Sequence, residues 1–172
     1  MLIRLICCFL FFNTTLLLAH APWGQHNVYR QSHMLIMCSK EDKGAFEFTK
    51  YIASFLDNDL PRSRARVARA PHKERMIDLL KTDQIPLAIF SYDLLSEIFE
   101  KKDKSTKYLS EDARVVFFFS DMVLVSNKQF SYKKSKIVFD SLKTASDKKN
   151  NYDVKFRKKT DFFIPFYNSY DN

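Results

Sequence analysis

The stretch RAPHKERMIDLLKTDQIPLAIFSYD, from Arg69 to Asp93, predicts a helix that crosses over to a buried strand. Pro71 ends the extended segment before it, and apolar residues then recur at helical spacing: Met76, Ile77 and Leu80. The apolar run IPLAIF, from Ile85 to Phe90, is short enough for a fully buried strand. Pro86 stands at its start, where a missing N–H group is tolerated. The strand would open into a loop at Ser-Tyr-Asp, and ligands of α/β proteins bind beside such strand ends.

Similar elements flank this unit on both sides. We expect four further strands: SHMLIMCS (32–39), RARVARA (64–70), ARVVFFF (113–119) and MVLVSN (122–127). Helical spacing of apolar residues predicts a helix over 45–56 and another from Tyr92 to about Lys102. The charged residues from Lys101 to Glu111 indicate a loop. Alternating strands and helices predict a three-layer α/β domain with a mainly parallel sheet and right-handed crossovers.

The composition limits the possible architectures. The chain has 172 residues, of which 46% are hydrophobic and 28% charged, and this suits one globular domain rather than two. Only 2 residues are glycine, so a glycine-rich phosphate-binding loop is excluded. The 17 Phe and 8 Tyr residues predict an aromatic core.

The N-terminal segment MLIRLICCFLFFNTTLLLAHA (1–21) has the features of a secretory signal peptide. Arg4 precedes an apolar run from Leu5 to Leu18, and Ala19-His20-Ala21 forms an A-x-A cleavage pattern. Pro22 is an unfavourable neighbour for cleavage, so an uncleaved membrane anchor is the alternative. Residues 22–31 would then form an N-terminal extension, and 32–172 a single α/β domain with a basic C-terminal segment. In either case the domain is expected to be exported.

The charge is distributed unevenly along the rest of the chain. Residues 22–126 contain 16 basic and 15 acidic residues, whereas 127–172 contain 11 basic and 5 acidic ones. The simplest interpretation of this basic segment is a solvated surface, and the alternative is attraction to anionic lipid or to an acidic partner. Nucleic acid is not expected as a partner of an exported protein.

No catalytic motif is present in the sequence. There is no Gly-x-Ser-x-Gly, no His-Glu-x-x-His and no Cys pair after the N-terminal segment. Cys38 lies in an apolar stretch and is expected to be a buried, inert thiol. His26 and His33 lack the neighbours of a metal site. We therefore expect no enzymatic activity, cofactor or metal.

Several segments resemble TAXI-type solute-binding proteins, the periplasmic substrate-binding subunits of TRAP transporters. LLKTDQIPLAIFSYDLLSEIF (79–99) resembles the family segment that reads roughly Leu-x-x-Gly-Glu-x-Asp-Leu-Ala-x-x-Gln-Ser-Asp, with matches at Leu87, Ala88 and Asp93. ARVVFFFSDMVLVSNKQF (113–130) is similar to the strand pair that leads out of the first lobe. FSYKKSKIVFDSLK (130–143) and FFIPFYNSY (162–170) resemble the late helix and the closing segment. The resemblance implies a fold like one lobe of a type 2 periplasmic binding protein and a bacterial, periplasmic location.

The same resemblance implies a ligand site between three loops at the ends of parallel strands. Its candidate residues are Ser39, Lys40, Gly44, His72, Lys73, Ser91, Tyr92 and Asp93. The sequence departs from the family pattern at this site, since Gly44 alone stands where a glycine-rich loop is usual. Glu41 and Asp42 would either repel a carboxylate ligand at the first helix or cap that helix. Asp93 is expected to be the N-terminal cap of its own helix.

Two functions remain open. The chain is either a solute-binding protein that holds a small carboxylate or other anion, or a one-lobe interaction protein that binds a membrane transporter subunit or another envelope protein. With 46 residues after Ser126, a second lobe is not expected. The aromatic tail TDFFIPFYNSY (160–170) is expected to pack back on the sheet domain, and the sequence does not indicate the oligomeric state.

Overall fold

The computed structural model describes residues 29–102, 104–148 and 164–167. The chain divides into two compact units, Met1–Ser32 and His33–Asn172. In the first unit, Tyr29 to Ser32 form a helical turn. The expected signal peptide and most of the expected N-terminal extension lie outside the described residues, as does the basic run Lys155–Lys159.

The second unit is built on a five-stranded sheet with the order β2-β1-β3-β5-β4. Its strands are β1 (Leu35–Ser39), β2 (Arg66–Ala70), β3 (Leu87–Ser91), β4 (Ala113–Phe118) and β5 (Met122–Asn127). β1 pairs in parallel with β2 and β3, whereas β5 lies antiparallel between β3 and β4. Four strands therefore share one direction, which confirms the predicted α/β class and the mainly parallel sheet. The predicted strand IPLAIF corresponds to β3, at the centre of the sheet.

In the described part of the second unit, five α-helices cover the two faces of this sheet. They are α1 (Ala45–Asp59), α2 (Lys73–Lys81), α3 (Tyr92–Lys101), α4 (Lys104–Glu111) and α5 (Tyr132–Lys148), and a short 3-10 helix spans Pro61–Ser63. The strands expose alternate residues to opposite faces, as the two-residue period of a strand requires. Met37 and Phe90 contribute to the core under α2, α3 and α4, whereas Ile36 and Ile89 contribute to the core under α1 and α5. These two cores give the predicted three-layer arrangement.

The interpretation of Lys101–Glu111 as a charged loop is wrong. Residues Lys104–Glu111 form α4, because Tyr108 and Leu109 provide a buried strip. Thr106 Oγ1 also donates to the carbonyl of Ile98 at 2.7 Å and ties α4 to α3. Two adjacent buried residues are too short a signal for periodicity, so the polar residues around them dominated the prediction.

The described part of the tail packs on the sheet domain, as predicted. Ile164 and Tyr167 are buried, and Phe166 forms a parallel bridge with Val115 of β4. The carbonyl of Pro165 accepts a hydrogen bond of 2.8 Å from the N–H group of Val115. The tail therefore covers part of the β4 edge of the sheet. Phe162, Phe163 and Tyr170 lie outside the described residues.

Candidate functional site

The carboxyl ends of β1, β2 and β3 lie side by side. We call this side of the sheet, which runs across the strand ends and not along an outer strand, the outlet edge. It consists of the ends Ser39, Ala70 and Ser91 and the loops that follow them. The N–H group of Lys40 donates to the carbonyl of Ala70 at 2.9 Å, which joins the first two outlets. All eight predicted site residues therefore lie at or next to one edge of the sheet, because parallel strands open on the same side.

The carboxylate of Glu41 binds the beginning of α2. Its Oε2 accepts a hydrogen bond of 3.2 Å from the N–H group of Lys73, and its Oε1 lies 3.1 Å from Nδ1 of His72. The N–H group of Lys73 and the His72 ring lower the pKa of Glu41, because both stabilise the ionised carboxylate. Free N–H groups at a helix N-terminus attract anions, and here the anion is a side chain of the same protein.

Asp42 makes the equivalent contact at the third outlet. Its carboxylate accepts a hydrogen bond of 2.8 Å from the N–H group of Ser91 at the end of β3. Asp42 is buried, so this contact is shielded from solvent. Glu41 and Asp42 both belong to the loop between β1 and α1. Their carboxylates therefore accept hydrogen bonds from the N–H groups of Lys73 and Ser91 near two different strand ends.

Capping of α1 by Glu41 or Asp42 is therefore a wrong interpretation. The N-cap of α1 is Gly44, and no side chain caps this helix. Gly44 has a φ of 79°, in the left-handed region that a residue with a side chain rarely adopts. The carbonyl of Asp42 accepts a bond of 3.2 Å from the N–H group of Ala45, so the main chain of this loop supports the helix entry.

Two of the predicted residues of the first loop differ in accessibility. Ser39 is fully buried, and its Oγ accepts a bond of 3.2 Å from the N–H group of Glu41. This bond holds the main chain where the Glu41 side chain reaches α2. Lys40 is exposed. Ser39 therefore supports the loop, and Lys40 is the accessible cation of the pair.

The ammonium group of Lys73 is held on α3. It donates to Glu97 at 2.9 Å, and Lys101 donates to the same carboxylate oxygen at 3.0 Å. The side chain of Lys73 is 14% exposed. Lys73 and then Lys101 lower the pKa of Glu97, while Glu97 raises the pKa of Lys73, as expected for a hydrogen-bonded ion pair. The ammonium group of Lys73 thus forms an ion pair that connects α2 to α3.

At the end of β3, the contacts of Ser91 and Tyr92 stabilise the fold. The Ser91 side chain caps α3 by accepting a bond of 3.1 Å from the N–H group of Leu94. Asp93, the expected cap, instead lies exposed in the first turn, so that prediction is wrong. The ring of Tyr92 is buried in the core, and its N–H group donates to the carbonyl of Asp121 at 3.1 Å. A ligand at the outlet edge would meet exposed Asp93 and His72 rather than Tyr92.

Cys38 has no features of a nucleophile. It is buried in β1, and burial raises the pKa of its thiol despite the opposing effects of Thr49 and Arg69. A thiol rather than a thiolate is therefore favoured at neutral pH.

The structure also shows a charged feature that the sequence count over 22–126 concealed. Exposed arginines lie on β2 and on the segments before and after it: Arg62, Arg64, Arg66, Arg69 and Arg75. Arg66 pairs with Asp57, whereas the other four make no ion pair with another residue of the described ranges. We call Arg62, Arg64, Arg69 and Arg75 the arginine row. The closely spaced arginines of RSRARVAR (62–69) indicate this basic cluster in the sequence. The acidic residues elsewhere in 22–126 balance them, so the net charge of that range does not show the cluster.

Among the residues that the structure describes, no group of three or more His, Cys, Asp or Glu side chains could hold a metal ion. None of the helices in the same ranges is long and apolar enough to span a membrane. No family model matches the chain, and neither the curated proteins nor the solved structures contain a significant match.

Proposed function

We propose that this α/β lobe is a non-catalytic binding module for another protein of the bacterial envelope, with a transporter subunit as one candidate partner. The observation that carries the proposal is the occupation of the outlet edge by Glu41 and Asp42. Their carboxylates accept hydrogen bonds from the N–H groups of Lys73 and Ser91, to which an anionic solute would otherwise bind. The scaffold of a solute-binding lobe is then retained while its ligand edge is closed.

The ionisable groups of the outlet edge support a non-catalytic role. Glu41, Lys73 and Glu97 are engaged in helix-end or ion-pair contacts. Cys38 is buried with a raised pKa, so it does not supply a reactive thiolate. Among the residues that the structure describes at this edge, a nucleophile, a general base and a group to orient them do not come together.

Export to the periplasm is part of the proposal, and its support comes from the sequence. The segment 1–21 combines Arg4, an apolar run and the A-x-A pattern. The resemblance to TAXI-type proteins points to the same compartment. An uncleaved segment would instead anchor the lobe to the membrane surface.

A second candidate function is binding of a small carboxylate at the beginning of α2. The contacts of Glu41 favour it, because the Lys73 N–H group and the His72 ring already form a carboxylate-binding arrangement. A free carboxylate that displaced Glu41 would find the same two partners. This function requires the loop between β1 and α1 to open.

Thermal unfolding with small mono- and dicarboxylates separates the two functions, since a ligand that binds the folded state raises the melting temperature. The proposed function predicts no change for the wild-type protein with ligand at about 10 mM. It also predicts a saturable adduct with a defined protein when a photo-crosslinking residue replaces exposed residues of the lobe in living cells. Saturable stabilisation of the wild type by a carboxylate, without a protein adduct, would support solute binding and contradict the proposal.

A further inference from the structure

The two outer strands of the sheet, β4 and β2, differ in how their outward sides are covered. At the β4 edge, Pro165 and Phe166 of the tail contact Val115. At the other edge, β2 pairs with β1 on one side, and no further strand follows it in the described sheet. An uncovered edge strand presents main-chain N–H and C=O groups that can pair with another chain.

The register of β2 identifies these groups. The N–H group of Arg66 donates to the carbonyl of Met34, and the carbonyl of Ala70 accepts from Lys40. The main-chain N–H and C=O groups of successive residues point alternately to the two sides of a strand, so those of Arg66, Ala68 and Ala70 point toward β1. Val67 and Arg69 therefore direct their N–H and C=O groups away from the sheet. One further strand could bond to all four of these groups.

The side chains at this edge determine which strand would fit. Of the arginine row, Arg69 lies on β2, Arg62 and Arg64 precede the strand and Arg75 lies on α2, and all four side chains are exposed. The Arg69 guanidinium lies 4.1 Å from the centre of the Phe46 ring, which positions it on α1 while leaving it exposed. Charged residues on an edge strand discourage pairing between identical edges. Two copies of this edge would bring arginines against arginines, so a second copy is a poor occupant.

The chain's own remaining segments are also poor occupants. Residues 1–28 contain one basic residue and no acidic one, and 149–163 contain five basic and two acidic residues, so both carry the same sign of charge as the arginine row. The remaining five residues, 168–172, contain one acidic residue, but they follow the tail segment that lies at the β4 edge, on the opposite side of the sheet. The complementary occupant is an acidic segment of another protein.

We propose that the β2 edge binds an extended, acidic segment of a partner protein by strand addition. Main-chain bonds to Val67 and Arg69 supply the pairing, and the arginine row selects for acidic side chains. This inference rests on the proposed function, because it names the kind of partner that the lobe binds. It adds the location of the contact and the chemistry of the partner.

The probe for this proposal is a fluorescent peptide of about eight alternating Glu and Val residues, long enough to cover one strand. Binding to the full chain is followed by fluorescence anisotropy at physiological salt. We expect saturable binding of this peptide and none of the Lys-Val peptide of the same length. Reversal of two exposed charges, Arg62→Glu with Arg75→Glu, should weaken binding by about tenfold, since each charge contact contributes modestly.

The matched control is Lys133→Glu with Lys143→Glu on α5, which changes the charge equally at exposed positions away from β2. This control should change the affinity less than about twofold, because it leaves the β2 edge intact. Melting temperatures of both double variants show whether they fold.

N-methylation of the peptide tests strand addition without altering the protein. One peptide carries methyl groups on the Val nitrogens and another on the Glu nitrogens, so each removes the N–H groups of one side of the strand. Strand addition predicts that one of them loses about tenfold in affinity and that the other binds like the parent. Absence of Glu-Val binding overturns the proposal, as does equal binding of both methylated peptides, which indicates attraction by charge alone. A protein adduct found elsewhere on the lobe in either case leaves the proposed function standing.

Discussion

Glu41 is the residue whose charge state the account explains most directly. Its folded-state pKa is lowered from the ordinary value of 4.5 by the N–H group of Lys73 and by His72. A lowered pKa in the folded state means that the ionised carboxylate stabilises the fold above the unfolded pKa. That stabilisation is lost as the pH falls through the lower, folded pKa.

Substitution Glu41→Gln therefore has a predictable pH dependence. The melting temperature of the variant should lie below that of the wild type at neutral pH, and the difference should shrink as the pH falls below the ordinary glutamate pKa of 4.5 and through the lower pKa of the folded state. Glu100→Gln is the matched control, because Glu100 is an exposed glutamate at the end of α3 rather than at a helix beginning. Equal pH profiles of the wild type and Glu41→Gln would show that Glu41 does not bind the beginning of α2.

Residue roles at the outlet edge could be predicted only in part from the sequence. Ser91 and Asp93 are both good N-cap residues two positions apart, so composition alone favoured the wrong one. The roles of Glu41 and Asp42 depend on β1 lying between β2 and β3, which brings their loop to both neighbouring outlets. Strand order is a tertiary property that one sequence does not display locally.

At the scale of elements, α4 is the helix that the sequence wrongly indicated to be a loop. Leu109 is fully buried in the core that α4 shares with α2 and α3. Leu109→Ala should lower the free energy of unfolding by about 2–5 kcal/mol, because it removes buried methyl groups and leaves a cavity. Lys107→Ala, an exposed site on the same helix, should change it by less than about 0.5 kcal/mol. Urea unfolding of both variants makes the comparison, and equal stabilities would mean that α4 does not pack on the core.

The tail is the second element with a measurable contribution. Phe166 stacks on Phe118, and Tyr167 contacts Phe139 of α5 at a ring separation of 5.4 Å. Deleting 160–172 should lower the free energy of unfolding by about 3 kcal/mol or more, since one buried large apolar side chain contributes about 1.5–3 kcal/mol. Ile137→Ala, at an exposed position of α5, should have little effect. A deletion with an unchanged melting temperature would show that the tail does not stabilise the lobe.

The strands were the most predictable elements, for a clear physical reason. β3 is buried on both faces, so it requires a continuous apolar run such as IPLAIF. β2 lies at the edge of the sheet, as a stretch rich in arginine suggests, but the alternation seen in RARVARA breaks at Val67-Ala68. Arg66 and Arg69 are three positions apart and therefore point to opposite faces of the sheet. The antiparallel direction of β5 and its position between β3 and β4 could not be inferred from such patterns, because they depend on pairing.

In the molecule as a whole, different parts of the sheet have different roles. The outlet edge is occupied by the carboxylates of Glu41 and Asp42, the β4 edge is partly covered by the tail, and no described residue adds a strand to the β2 edge. Glu41 and Asp42 occupy the two N–H groups at the outlet edge that a small anion would need, and this distinguishes a binding module for proteins from a lobe that holds a small anion.

The most direct test is an NMR titration of the backbone amide groups of Lys73 and Ser91 with small carboxylates. Both N–H groups are bonded to side chains of the loop between β1 and α1. We expect their resonances to stay in place as carboxylate is added at neutral pH. We also expect the Lys73 resonance to move on acidification as Glu41 becomes protonated, at a pH below the ordinary glutamate pKa of 4.5. Saturable movement of both resonances with added carboxylate at neutral pH would contradict the account, because it would show that a free anion binds where Glu41 and Asp42 are placed.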